Sequence, residues 1–462
     1  MGLSFFRRPH SAALGFIVMA SIWFVIGTVY GALSATHLVA PEFFHNIPWL
    51  VFGRIRPIHV NTVLYGFVAG MLVGCGAYYV PRLLRTRLWS EPLAWFSVLT
   101  WNLAVASGPL SFSFGITQGR EYSEYIWMAD VTLMVSLIAL LIDVMMTILR
   151  RAEDTLYVAV WYFTGMLLWS IGCYPIGNVM WHPATGAASG MLDSLYLWFW
   201  GHNLPGLLLT PLAVGAAFYV IPLVTSAPLY SHLLSWIGFW SLVVFYSHIG
   251  AHHILQTPIA DWQKVLAITS SIAMVIPVFT VLANLWLGSR GRGGVVLHHP
   301  AGRFVLVGLI WYLLTCIQGP LQSLPVLQQV THLTNWTVGH SHIAVLGFAG
   351  YIALGTMWLV VPQIVHRKVW SRQLVFAQFW LISFGLTGFF VVLTIAGLIQ
   401  GEGWHNGFTV YRMLPEIHPY MVLRAVFGAS IVSAAVIGLF NLFKTIYSGP
   451  PFNPYIDEDY FA

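Results

Sequence analysis

Long apolar stretches, each about the length of a bilayer-spanning helix and nearly free of charge, recur along the whole of this 462-residue sequence. They do not alternate apolar and polar residues as membrane barrel strands would. Only 8% of the residues are charged and 58% are hydrophobic, whereas a soluble domain carries about 25% charged residues. The expected fold class is therefore all-α, a polytopic membrane protein with twelve transmembrane helices in one domain over residues 1–462. Spans are predicted near 13–34, 58–80, 91–108, 127–149, 157–175, 194–222, 229–253, 264–288, 303–325, 338–363, 374–399 and 418–446. Arg7 and Arg8 before the first run resemble the start of a signal peptide. That run is long enough to span, and no small-residue cleavage site closes it, so it reads as the first membrane helix. No internal sequence repeat is evident.

An even number of spans puts both termini on one side. Arg7, Arg8, Arg82, Arg85, Arg87, Arg150, Arg151, Arg290, Arg292, Arg303, Arg367, Lys368, Arg372 and Lys444 fall on that side. The opposite side has only Arg54, Arg56, Arg120, Lys264, Arg412 and Arg424. Cytoplasmic loops hold the excess of basic residues, so both termini are expected in the cytoplasm. This accounts for the formal charge of +5 without a nucleic-acid partner. The three cysteines, Cys75, Cys173 and Cys316, lie far apart in apolar segments and read as buried thiols. With no C-x-x-C-H motif, any covalent c-type haem must come from a partner.

Of 18 histidines, His10, His37, His45, His298, His299, His366 and His405 sit in loops or at span edges, where an interfacial reading suffices. His59, His202, His252, His253, His340 and His342 lie inside spans or at their mouths, where an ionisable group is costly unless it has a partner or a function. Topology places all six in the outer half of the membrane. His340 and His342 point about 200° apart on a helix, so one helix can serve two centres. His252 and His253 lie about 100° apart and, with His202, can surround one metal. Three neutral imidazoles suit copper, iron or zinc.

This ordered set resembles the histidine pattern of the haem–copper oxidase superfamily's subunit I, and most of all its C family, the cbb3-type cytochrome c oxidases. The resemblance runs over the whole chain. It is carried by Gly53-Arg-Ile-Arg-Pro-Ile-His59, Arg120-Glu-Tyr-Ser-Glu124, Trp200-Gly-His-Asn203, Ala251-His-His253, Asn335-Trp-Thr-Val-Gly-His-Ser-His342, and His418-Pro419 with Arg424. It implies two b-type haems and one copper. His59 and His342 would be axial ligands of low-spin haem b, His340 of high-spin haem b3, and His202, His252 and His253 would bind copper B. Tyr246, six residues before His252, would be the active-site tyrosine, covalently joined to His202. His332, Arg54, Arg56 and Arg424 match positions near haem propionates. Glu121 and Glu124 match the acidic motif of the family's calcium region; taken alone, two exposed carboxylates would be read as solvated. Thr210, Tyr219, Ser235 and Asn284, in the inner halves of spans 6 to 8, would hold a water chain for proton uptake. Asp143 is a lone carboxylate with no evident partner.

The resemblance further implies oxygen reduction to water in the bacterial inner (cytoplasmic) membrane, with proton uptake or pumping. Electrons would come from membrane-anchored c-type cytochrome subunits and a soluble cytochrome c or similar donor. Two departures stand out. The family's glutamate on the ninth helix is Gln318 here, and its channel tyrosines are Phe218 and His232. Proton uptake or pumping is therefore expected to differ. The nearest rival is a nitric oxide reductase of the same superfamily. It uses non-haem iron and a glutamate ligand one turn after the sixth-helix histidine, where this chain has Gly206. A histidine-relay transporter would need acid–base pairs at the bilayer centre, and the spans have almost no carboxylates. A structural haem subunit would not need the second histidine cluster.

Overall fold

A computed structural model describes residues 5–44, 46–181 and 188–453. His45, one of the interfacial histidines, lies outside them. Among the described residues, regular structure is helical, apart from one isolated bridge between Arg367 and Pro451. The principal helices are α1 (Ser11–Val39), α2 (Phe52–Leu83), α3 (Glu91–Ser113), α4 (Trp127–Leu149), α5 (Val158–Gly177), α6 (Met191–Thr225), α7 (His232–Tyr246), α8 (Asp261–Gly288), α9 (Pro300–Gln322), α10 (Asn335–Val365), α11 (Arg372–His405) and α12 (Val410–Ser448). Ten are long and apolar enough to cross a membrane. The two others, α5 with 20 residues and α7 with 15, stand where the fifth and seventh spans are predicted. The seventh was expected as one run over 229–253. Instead α7 ends at Tyr246, and the chain tightens into a 3-10 turn, Ile249–Ile254, that carries His252 and His253.

Three helices form the interior. The most apolar windows of α2, α6 and α10 are 94%, 83% and 89% buried, while no other spanning helix exceeds 56%. These three recur at every fourth helix, and the same device closes each of them. Pro81, Pro222 and Pro362 stand in their last turns. Four residues on, Arg85, Ser226 and His366 each adopt a left-handed conformation with φ 50°. The next amides, of Thr86, Ala227 and Arg367, then donate to the carbonyls of those prolines at 2.9, 3.3 and 3.2 Å, a backbone stop that satisfies otherwise orphaned helix carbonyls.

Nine residues after each proline comes a serine. Ser90, Ser231 and Ser371 cap the next helix by accepting from the amides of Leu93, Leu234 and Leu374. The serine amides donate in turn to Asp143 Oδ1, Asn284 Oδ1 and Asn441 Oδ1 at 2.8, 2.9 and 3.2 Å. The chain is thus a threefold repeat of four-helix units, which its sequence hid. Asp143, expected to lack a partner, is one of the three cap acceptors. Both described ends of the chain join this end of the bundle. The His10 amide donates to Glu91 at 2.5 Å, and the Lys368 amide to Pro450 O at 2.8 Å.

At the opposite end, each inner helix widens into a π-helical segment just after a site histidine: Thr62–Ala69 after His59, Leu204–Leu209 after His202, and Ile343–Gly350 after His342. Such segments shift the helix phase and recur at functional sites. Here each begins within three residues of a site histidine.

Candidate metal centre

His59 and His342 face each other from α2 and α10. Their ring centroids are 6.2 Å apart with planes 19° from parallel. One metal between two imidazoles, each bound at about 2.0 Å, needs centroids separated by about 6 Å. Both rings have Nδ1 on a backbone carbonyl, Gly27 O at 2.7 Å for His59 and Val338 O at 2.8 Å for His342. A carbonyl only accepts, so Nδ1 carries the proton and Nε2 keeps its lone pair. The donor set therefore fits a haem iron with two axial histidines. Phe389 packs on His342 at 4.4 Å, and the Arg424 guanidinium lies 5.3 Å from the Phe389 ring centroid.

His202, His252 and His253 form the second group. One ligand atom from each can be chosen so that all lie within 4.8 Å of one another. His202 Nδ1 is 2.8 Å from His253 Nε2. His252 Nδ1 is 2.8 Å from Ser271 Oγ, whose own hydroxyl donates to Ala267 O at 2.7 Å. Ser271 therefore accepts from His252, which leaves the His252 Nε2 lone pair free. The Gln328 amide donates to His252 O at 2.7 Å and accepts from Gln256 at 2.8 Å, fixing the turn. The Trp198 ring lies 3.9 Å from His253 with planes 9° apart. Three converging imidazole nitrogens with no carboxylate among them suit a borderline or soft transition metal rather than magnesium or calcium.

Tyr246 lies beside this group. Its ring centroid is 4.9 Å from that of His202, with planes 22° apart. A Cβ at Gly206 would overlap the Tyr246 ring. His340, two residues before His342, has Nδ1 3.2 Å from Gln318 Oε1, with the Trp336 ring parallel to it at 5.7 Å.

The remaining candidates fall into two regions. Near the first pair, Arg56 is ion-paired with Glu121, Arg54 donates to Ser113 O at 2.9 Å, and Arg424 reaches Asn335 at 3.5 Å. Glu124 is not the solvated acid that sequence alone suggested. It is 4% exposed and accepts from Asn61 at 3.1 Å. Burial pushes its carboxyl up to about 7 against the pull of Asn61. A left-handed Tyr122 (φ 61°) makes the turn that separates the two glutamates. His332 follows the short helix Pro325–Thr331, and burial holds its imidazole below the ordinary value.

Toward the capped end, Tyr219 stacks on Tyr79 at 4.9 Å, and Thr210 donates to Pro205 O at 2.8 Å. Ser235 and Asn284 belong to the Ser231 cap. The Asn284 amide donates to Ser231 O and to Ser235 Oγ, each at 2.8 Å.

Sequence reasoning missed Ser271, Gln328, Gln256 and Trp198. Only Trp198 carried a signal, standing four residues before His202 and so on the same helix face.

Residues 11–430 match the family model described as Cytochrome C and Quinol oxidase polypeptide I. A cytochrome c oxidase subunit 1 homolog (bacteroid) of Bradyrhizobium diazoefficiens is 30% identical over 93% of this chain and 81% of its own length. The cbb3-type cytochrome c oxidase subunit CcoN1 of Stutzerimonas stutzeri is 28% identical, covering 94% of each chain. A heme-copper terminal oxidase dimer solved by cryo-EM shares the fold, with TM-score 0.79 and 16% identity over 97% of this chain and 87% of that one. The chain belongs to the haem–copper oxidase subunit I family, a helical membrane oxidoreductase family.

Proposed function

We propose that this chain is the catalytic subunit of a cbb3-type terminal cytochrome c oxidase of the bacterial inner membrane, with both termini cytoplasmic. It takes electrons from c-type cytochrome partners, membrane-anchored and soluble, and reduces dioxygen to water. His59 and His342 would hold the low-spin haem b, His340 the high-spin haem b3, and His202, His252 and His253 the copper. When bound, these groups supply the redox chemistry by which dioxygen accepts four electrons.

The protein's own residues do the rest. The carbonyls of Gly27 and Val338 and the Ser271 hydroxyl fix histidine tautomers, so that ligand nitrogens are preset before any metal arrives. Tyr246 holds a phenolic hydrogen beside His202 and can release it into the pocket. Arg54, Arg56 and Arg424 would meet haem propionates, since guanidinium suits carboxylate geometry, and His332 would add a ring N–H donor. Glu121 and Glu124 offer the oxygen ligands a calcium ion would take. Thr210, Tyr219, Ser235 and Asn284 are proposed to border the proton route. Their hydroxyls and amide are engaged or stacked within the protein, so water would have to join them.

The observation that carries the reading is the Tyr246 ring filling the space over Gly206. A reductase-type glutamate ligand at that position would collide with the tyrosine an oxidase needs. The test is elemental analysis of the purified complex with a haem assay. One copper and two b haems per chain support the oxidase. Non-haem iron without copper overturns it in favour of nitric oxide reduction.

A further inference from the structure

We infer that Gln318 is the positioning residue of His340, acting as an uncharged acceptor that sets the donor strength of this haem ligand. The inference rests on His340 being the axial ligand of the high-spin haem. Gln318 lies on α9 and His340 on α10, with Oε1 and Nδ1 3.2 Å apart. A second bond, one turn further along α9, sets the register. The Gln322 amide donates to Thr337 Oγ1 at 3.1 Å. Two glutamines four residues apart on one face thus reach two positions three residues apart on the facing helix, and the pairing cannot slip by a residue without losing both. Trp336, parallel to the His340 ring, limits its rotation.

The chemistry follows from the donor inventory. An imidazole that binds iron through Nε2 must carry its proton on Nδ1, so its partner must accept. Gln318 presents its carbonyl oxygen there. A carboxamide oxygen accepts this hydrogen bond but does not take the proton. A carboxylate at the same place would draw the Nδ1 proton, push electron density into the ring and strengthen the iron–nitrogen bond. Glutamine in place of the family's glutamate therefore acts through His340, and not through the His202 group beside which Tyr246 lies. Its consequence is a neutral ligand with a weaker push toward iron, rather than a lost proton-carrying group. His59 and His342 have the same neutral kind of acceptor, but from backbone carbonyls, which every residue carries whatever its side chain. Gln318 is where this chain's own sequence tunes one haem and leaves the other alone.

The test uses the purified holoenzyme with Gln318→Glu and Gln318→Leu, read by the iron–histidine stretching band of the reduced high-spin haem and by redox titration of both haems. Gln318→Glu should raise the stretching frequency and lower the high-spin potential. Gln318→Leu should do the reverse, and the low-spin haem should keep its potential in both. Unmoved bands and potentials in both variants overturn the inference, as does a shift of equal size in both haems. If no five-coordinate iron–histidine band exists in the unsubstituted enzyme, it is the assignment of His340 that falls, a separate result.

Discussion

The Tyr246 ring occupies the space into which a side chain at Gly206 would project, one turn beyond His202 and inside the π-helical segment of α6. Adding a single methyl there is an overpacking change, costing about 1–3 kcal/mol in a packed interior. Gly206→Ala should therefore displace the Tyr246 ring and depress oxygen turnover while metal and haem contents hold. Gly206→Glu should do so more severely. Oxygen electrode rates set against copper and haem per chain decide it. Normal turnover in Gly206→Ala would show that the ring has room to move.

Tyr246→Phe keeps the ring over Gly206 and removes only the hydroxyl. Losing a positioned proton donor costs about 10²–10⁴-fold in rate. The variant should keep its copper and its haem spectra and lose oxygen turnover on that scale. A loss of copper in step with activity would instead make the tyrosine a packing residue.

Ser271 is bonded to His252 and to Ala267 O, so it orients the imidazole of a proposed copper ligand without belonging to the candidate ligand set itself. Removing such a partner weakens metal affinity by about 10–100-fold. Ser271→Ala should release copper at lower chelator concentration than the unsubstituted protein, while Ser271→Thr, which retains the hydroxyl, should not. Equal retention in all three would leave Ser271 as a helix hydroxyl and nothing more.

What the sequence disclosed and what it hid divide along a physical line. The six histidines were legible because an ionisable group is costly in hydrocarbon, and basic loop residues fixed their depth. Their partners were not. Gly27 and Val338 act through backbone carbonyls, which no side chain announces, and Ser271 looks like any membrane hydroxyl. The end of α7 was misplaced because no proline or glycine follows Tyr246 until Gly250, and Ser247-His248 alone does not announce a helix stop. The threefold repeat escaped for a related reason. Buried positions exchange Val, Leu, Ile and Phe freely, so identity survives only where geometry is exacting, at the proline, the capping serine and its Asp or Asn partner. Those positions line up only once the helix ends are known.

Glu124 gives a pH prediction with a definite sign. Burial raises its carboxyl from the ordinary 4.5 to about 7, so between those values the folded protein binds a proton that the unfolded chain has lost. Stability must then fall as pH rises through that window. In protein stripped of divalent cations, Glu124→Gln should flatten the fall in the thermal unfolding midpoint between about pH 5 and 7. An unchanged slope there would mean that Glu124 is already ionised at pH 5 with no cation against it.

The repeat supplies a last prediction, because one of its three caps differs from the other two. Asn284 and Asn441 each accept from a serine amide through Oδ1 and return a hydrogen bond through Nδ2, to Ser231 O at 2.8 Å and to Ser371 O at 2.9 Å. In the first unit Asp143 accepts from the Ser90 amide in the same way, but its Oδ2 is buried with no hydrogen-bond partner. A carboxylate oxygen cannot donate to the serine carbonyl as the amide does. Asp143→Asn completes the cap, and a net hydrogen bond is worth about 0.5–1.5 kcal/mol. It should raise the thermal midpoint in detergent. Asn441→Asp, which removes the returning bond from the third unit, should lower it by a similar amount. If Asp143→Asn destabilises, the carboxyl has a use at that position that the asparagines of the other units do not share.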